Sequence, residues 1–184
     1  MDRSTLAVCS DLEGVVSVMK LKGFLILGVL MVAGVALSQR LEVKVFWLLN
    51  TKQCPGCDLK GAKLAGADLQ GANLKAANLS NANLSEAILS KSNLAGANFQ
   101  QTDLSLVDLT EAEMAGADLR GANLSGANLI RANLQRTDLK RANLLFTELT
   151  GANLKGADLR QAEIYGANLS REQLRQTVVP DRNQ

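Results

Sequence analysis

The chain has 184 residues, a formal net charge of +2, 3% aromatic residues and no histidine. A near-neutral balance argues against binding nucleic acid or membrane by bulk electrostatics, and three cysteines are too few for a disulfide framework. A core without aromatics must be built from Leu and Ala, and it must be regular because nothing large fills irregular gaps.

The first feature in chain order is a leader over residues 1–38. Within it, 19–38 reads as a signal peptide: Lys20 and Lys22 form a basic start, an apolar run extends from Gly23 to Leu37, and small residues sit at Ala36 and Ser38. The run is shorter than the ~20 residues a spanning helix needs. A retained anchor over 23–38 and a buried N-terminal helix are the alternatives. Asp2, Asp11 and Glu13 would weaken the positive end of a signal, so residues 1–18 read as an over-called start ahead of Met19. No cysteine directly follows the apolar run, which speaks against a lipoprotein signal.

Residues 39–56 form the next unit. Leu41, Val45, Leu48 and Leu49 fall at helical spacing, which predicts an amphipathic cap helix over about 39–52, with Trp47 adding apolar area. The helix leads into a CPGC junction, Cys54 to Cys57. A redox motif of this spacing needs a βαβ context that is absent, and zinc needs four ligands where two thiols are offered. Haem attachment needs a histidine where Asp58 stands. The expectation is therefore structural: a disulfide between Cys54 and Cys57 that pins the cap after export.

From Cys57 onward one period explains almost every residue. Of the 24 positions taken every fifth residue from Leu59 to Leu174, Leu fills 21, and the others are Phe99, Met114 and Ile164. Two residues before each centre Ala fills 17 of 24 positions, and one residue before it Asp or Asn fills 18 of 24. Positions two apart share a face of an extended segment, so centre and Ala point inward while Asp or Asn points out. The two remaining residues suit a turn. One such unit cannot bury its Leu alone, so the units over 57–170 must stack as an all-β solenoid.

The end needs a cap, because a solenoid terminus exposes core and strand edges. Glu172 would fall at an inward position, where a lone carboxylate is costly. Ser170 to Gln173 instead reads as a capping box opening a short helix at about 171–176. Residues 171–184 are thus C-terminal cap and tail.

Segments such as Gly71-Ala72-Asn73-Leu74 and Gly121-Ala122-Asn123-Leu124 carry the consensus A(D/N)LXX, and over 57–174 the chain resembles the pentapeptide-repeat family. The stretch Thr51–Leu59 resembles the junction of exported members of that family. The resemblance implies a right-handed quadrilateral β-helix with four repeats per coil, hence about six coils and a rod ~29 Å long.

Under that register the outward residues sort into columns. Asp58, Asp118, Asp138 and Asp158 share one face, and Lys60, Arg120, Lys140 and Arg160 stand two residues beyond them. This predicts a charged strip, either a salt-bridge ladder or a site for an acidic partner. On the next face Leu106, Leu145, Phe146 and Tyr165 occupy outward slots, a candidate interface unless the tail covers it through Val178 and Val179. No carboxylate pair in a water-excluded pocket is indicated, so no catalytic, cofactor or metal residue is assigned and no enzyme activity is expected.

These readings converge on a non-catalytic structural or protein-interaction module. Its partner would be an unidentified protein or a second copy; no nucleic acid is expected, and a membrane only if the leader is retained. The leader places it in the periplasm or, in a cyanobacterium, the thylakoid lumen. The resemblance also offers a DNA-mimicking, gyrase-interacting rod, disfavoured by the near-neutral charge, the leader and the uninterrupted repeats. Mass spectrometry of native protein is expected to show an N-terminus near Gln39, or near Leu37 for cleavage after Ala36; an intact Met1 or Met19 in membranes would identify an anchor.

Overall fold

A computed structural model describes residues 41–178; the leader over 1–38 and the tail beyond Val178 lie outside the described residues. Helix α1 spans Leu41–Thr51 and helix α2 spans Arg171–Gln176. Between them the backbone pairs with itself at a fixed separation of twenty residues, from Gln53 with Asn73 to Asp158 with Val178, always parallel. Four pentapeptides therefore make one coil. Each repeat contributes a single bridging residue, the Asp/Asn position, because a turn follows immediately: Ala62 N–H donates to Leu59 C=O at 3.0 Å.

The period is enforced by where the five backbone N–H groups of a repeat go. In the repeat around Leu59, the Leu59 N–H donates to Asn78 C=O at 2.7 Å and the Gly61 N–H to Ser80 C=O at 2.9 Å, both one coil on. The N–H of the Asp/Asn position points the other way, as Asn78 N–H to Cys57 C=O at 2.8 Å. The Ala N–H closes the turn. The fifth donor, Lys60 N–H, is taken by Asp58 Oδ1 at 3.3 Å, and the same bond recurs as Gln70 to Asp68 and Ser85 to Asn83, each at 3.0 Å. Asp and Asn are thus corner-formers: a short side chain whose oxygen reaches the N–H two residues on. A longer side chain must bend to do so, as Glu148 does toward Thr150 at 3.2 Å.

The centre residues and the Ala two before them fill the interior. Leu59 through Leu159 are buried, with Phe99 and Met114 in the same layers. Where the Ala position is polar and buried, a backbone carbonyl satisfies it: Thr102 Oγ1 donates to Leu79 C=O at 2.7 Å and Thr137 Oγ1 to Leu134 C=O at 2.8 Å. Among the described residues no buried side-chain polar atom lacks a partner.

The ends differ in detail from the sequence reading. In α1, Leu48 is buried and Leu41 and Val45 pack on the core, but Leu49 is exposed together with Phe46. Leu49 lies roughly a quarter-turn from Leu41 around the helix, outside the packing stripe. The coil ladder begins at Gln53, ahead of Cys57, and Cys54 serves as a first core centre. At the other end Ser170 caps α2: its hydroxyl accepts from Gln173 N–H at 3.1 Å while Ser170 N–H donates to Gln173 Oε1 at 2.9 Å. Val178 does not trail off; it bridges Asp158 and continues the Asp118–Asp138–Asp158 column.

Leu124 sits in an unbroken run of buried centres, with Leu104 and Leu144 one coil to either side. Leu124→Ala is expected to lower unfolding free energy by about 2–5 kcal/mol in urea titrations. Leu124→Asp is expected to give no cooperative transition; a neutral effect would overturn the inward assignment.

Candidate functional site

The charged strip is a ladder over the last three coils only. Arg120 Nη2 meets Asp118 Oδ2 at 2.6 Å, and Arg120 Nε lies 3.8 Å from Asp138. Lys140 Nζ sits between Asp138 at 3.1 Å and Asp158 at 3.2 Å, and Arg160 Nη2 meets Asp158 at 2.6 Å. Each cation grips its own coil, and Arg120 and Lys140 also reach the next, so stacked carboxylates are separated by positive charge. Lys60 does not join: Asn78, Ser80, Asn98 and Gln100 intervene, and Asp58 Oδ1 accepts from Asn78 Nδ2 at 2.9 Å instead.

The ladder perturbs its own titration. The Arg160 guanidinium, with help from its backbone N–H and Lys140, holds the Asp158 carboxyl far below the ordinary carboxylate value. At Asp118 burial pushes upward, but hydrogen bonds from Arg120 and Gln100 outweigh it and the carboxyl is lowered. Lys140 is raised by its hydrogen bonds to Asp138 and Asp158. Beside the ladder, Gly121 leaves a depression of about 320 Å³ lined by polar residues, including Gln101, Arg120, Lys140 and Arg141. Its lining includes no carboxylate pair that could serve as acid and base.

The apolar residues are brought together on one corner. Leu106, Phe146 and Tyr165 are 63%, 66% and 77% exposed, while Leu145 is only half-buried and contributes less than its outward slot suggests. The rings of Phe146 and Tyr165 pack edge-on with centroids 5.9 Å apart. Leu106 and Phe146 occupy the left-handed turn position, with φ of 57° and 55°, which bulky side chains adopt at a cost of roughly 1–2 kcal/mol. Both side chains lie along the rod over a glycine one coil on: a Cβ on Gly126 would stand 2.8 Å from Leu106, and one on Gly166 would stand 2.5 Å from Phe146. The corner is therefore a low apolar strip rather than separate knobs. Val178, paired on the ladder face, does not cover it. The sequence pattern flagged these residues but not the glycines beneath them, whose role appears only when positions twenty apart are aligned.

Cys54 and Cys57 are joined by a disulfide, S–S 2.04 Å, within the first corner of the ladder. Cys54 N–H donates to Asn73 C=O at 2.9 Å, so the bridge sits where α1 hands over to the coils. Among the described residues no group of Cys, Asp and Glu is placed to hold a metal ion, and no helix is long and apolar enough to cross a membrane.

A twenty-residue parallel ladder with Asp/Asn corners and a Leu interior defines a repeat β-solenoid. The chain belongs to the pentapeptide-repeat family: the pentapeptide repeats model matches in 8 copies over residues 54–90, 87–126, 117–156, 139–171 and 146–178. Among solved structures it is similar to HetL, a pentapeptide repeat protein involved in heterocyst differentiation regulation in the cyanobacterium Nostoc. The two are 37% identical over 62% of this chain, with a TM-score of 0.47, and the match spans 58% of HetL. It is 27% identical to a pentapeptide repeat protein of the Arabidopsis thaliana thylakoid lumen over 73% of this chain and 76% of that one, TM-score 0.42. It is 32% identical to Rfr23 of the cyanobacterium Cyanothece, covering 77% of this chain and 100% of that one, TM-score 0.38. No curated protein matches. Members of the family form right-handed β-helices.

A carboxyl held low in the folded state stabilises the fold above its unfolded value, and that stabilisation disappears as pH falls through the folded value. Both Asp118 and Asp158 act in this direction. The melting temperature is expected to fall progressively below about pH 4. Circular dichroism melts should show a flatter acid limb for Asp158→Asn; identical limbs would mean that the ladder contributes nothing.

Proposed function

We propose that this chain is a non-catalytic protein-interaction module of about six coils, capped by α1 and α2 and docking through the corner formed by Leu106, Phe146 and Tyr165. One observation carries the reading. The left-handed turn position is glycine in eleven described repeats and alanine, polar or charged in ten more; Leu106 and Phe146 alone among the described repeats place a large apolar side chain there, exposed to solvent. Large apolar side chains left exposed where other repeats carry glycine or polar residues point to a role outside folding.

Export to the periplasm or thylakoid lumen is part of the proposal. Its supports are the basic, apolar and small-residue pattern of 19–38 and the Cys54–Cys57 bridge, which suits an oxidising compartment. The DNA-mimicking alternative needs a bare acidic face. Here Asp118, Asp138 and Asp158 are each covered by Arg or Lys, which runs against it.

Phe146→Gly with Tyr165→Ser tests the reading. Relief of the left-handed Phe146, about 1 kcal/mol, offsets loss of the ring pair, about 1 kcal/mol, so the melting temperature is expected to stay within a few degrees. Capture of partners from the compartment that holds the protein should be lost. Unfolding would make the corner structural, and unchanged capture would move the interface to the Arg120–Lys140–Arg160 strip.

A further inference from the structure

The acids around the apolar corner differ from those of the ion-pair ladder. Asp118, Asp138 and Asp158 each meet an arginine or lysine, and Glu111 lies 3.7 Å from Arg131. The two faces that meet at the apolar corner carry Asp103 and Glu163 on one side and Asp108 and Glu148 on the other. None of these four pairs with a cation among the described residues. Asp103 accepts from Asn123 at 3.1 Å, Asp108 from Thr110 at 2.6 Å, and Glu148 from Thr150 and Asn168. Beyond Lys63, these two faces and their corner contain no lysine or arginine. The rod has further cations on its other corners, at Arg136, Arg141 and Lys155, but none here.

The strip also has a definite length. From Leu106 to Gly166 it spans three coil steps, ~14 Å, which is matched by about ten residues of α-helix lying along the rod. Its surface is uncharged, because the remaining corner residues over this span are Ser105, Ser125, Gly126 and Leu145. An apolar centre with an unpaired acidic rim on both sides is complementary to one kind of surface: an apolar stripe bordered by positive charge.

We infer that the partner of this corner is a cationic amphipathic protein segment, its apolar side chains seated on Leu106, Phe146 and Tyr165 and its lysines or arginines facing Asp103, Asp108, Glu148 and Glu163. This rests on the corner being the docking surface. It adds the chemistry of what docks there, supplied by four carboxylates that flank the apolar corner on both sides and meet no cation among the described residues. The corner of a second copy that bears Arg136 and Lys155 could satisfy the charge but offers no large apolar side chain, its other residues including Ala95, Gly96, Ala115 and Gly116.

The test uses the purified full chain and three labelled peptides of about twelve residues, long enough to cover the strip as a helix. One is a Leu/Lys amphipathic sequence, one replaces its Lys with Glu, and one replaces its Leu with Ser. Fluorescence anisotropy is expected to show the Leu/Lys peptide binding at least about tenfold more tightly than either control. Glu148→Gln with Glu163→Gln is expected to weaken it by about threefold to tenfold and to flatten its salt dependence. Phe146→Gly with Tyr165→Ser should abolish it. Equal binding of the Leu/Glu peptide, or no effect of Glu148→Gln with Glu163→Gln, would overturn the cationic partner while leaving the corner as an interface. Unchanged binding by Phe146→Gly with Tyr165→Ser would overturn the corner itself. Sedimentation of the chain alone supplies the last arm: self-association abolished by Glu148→Gln with Glu163→Gln would make a second copy the occupant and overturn the inference.

Discussion

Everything in this molecule depends on backbone hydrogen bonds that tie each residue to the coils twenty residues before and after it. Two N–H groups of each interior repeat point to the next coil and one to the previous, so an insertion of a single residue would misalign every pair downstream. The interior then follows. Side chains at centre and Ala positions meet their own kind above and below, and small and large alternate with Phe99 as the one aromatic among the buried residues described. Phe99 and Met114 fit because they replace a Leu in a layer, not because the layer is irregular.

The same constraint frees the outside. Each corner must supply one positive φ and one N–H to be capped, and any side chain that tolerates those demands can stand there. The exterior is consequently a set of columns on which charge and apolarity are written nearly independently of the fold. One column became an ion-pair ladder, where Arg120 and Lys140 alternate with Asp118, Asp138 and Asp158. Exposed pairs of this kind contribute little one by one, and their larger effect is to neutralise like charges that the register forces to stack. Two other columns, on either side of Leu106, Phe146 and Tyr165, hold carboxylates that meet no cation among the described residues. That contrast between the ladder and the columns beside the apolar corner is what gives the corner its meaning.

The ends show where repetition stops supplying its own partners. At the start, α1 covers the first layer with Leu41, Val45 and Leu48, and the Cys54–Cys57 bridge lies where helix becomes coil. At the finish α2 is too short to hide the last layer by itself, and Gln173 reaches back to donate to Leu149 and Ala152 carbonyls at 2.8 and 3.0 Å. The side chain of Gln173 therefore both closes its own capping box and satisfies orphaned edge carbonyls.

The sequence by itself determined the period and the inward Leu and Ala, because a five-residue repeat without a slip leaves no freedom in register, and Ser170 to Gln173 announced the α2 capping box; the outward columns followed only once the family resemblance implied four repeats per coil. It named Asp118, Arg120, Lys140 and Asp158 as neighbours and gathered Leu106, Phe146 and Tyr165 on one corner. It did not tell an outward slot from an exposed one, as Leu145 shows, nor place Leu49 off the packing face of α1, since both depend on what neighbouring chain covers. Nor did it separate Lys60 from the ladder, because a salt bridge needs a charged residue on the adjacent coil and Asn78 and Ser80 stand there. Only the tertiary structure decided that Asp and Asn cap the corners, that Leu106 and Phe146 lie over Gly126 and Gly166, and that Asp103, Asp108, Glu148 and Glu163 meet no cation among the described residues. Those are distances across coils and within turns, and a one-dimensional pattern carries the columns but not the reach of the side chains that fill them.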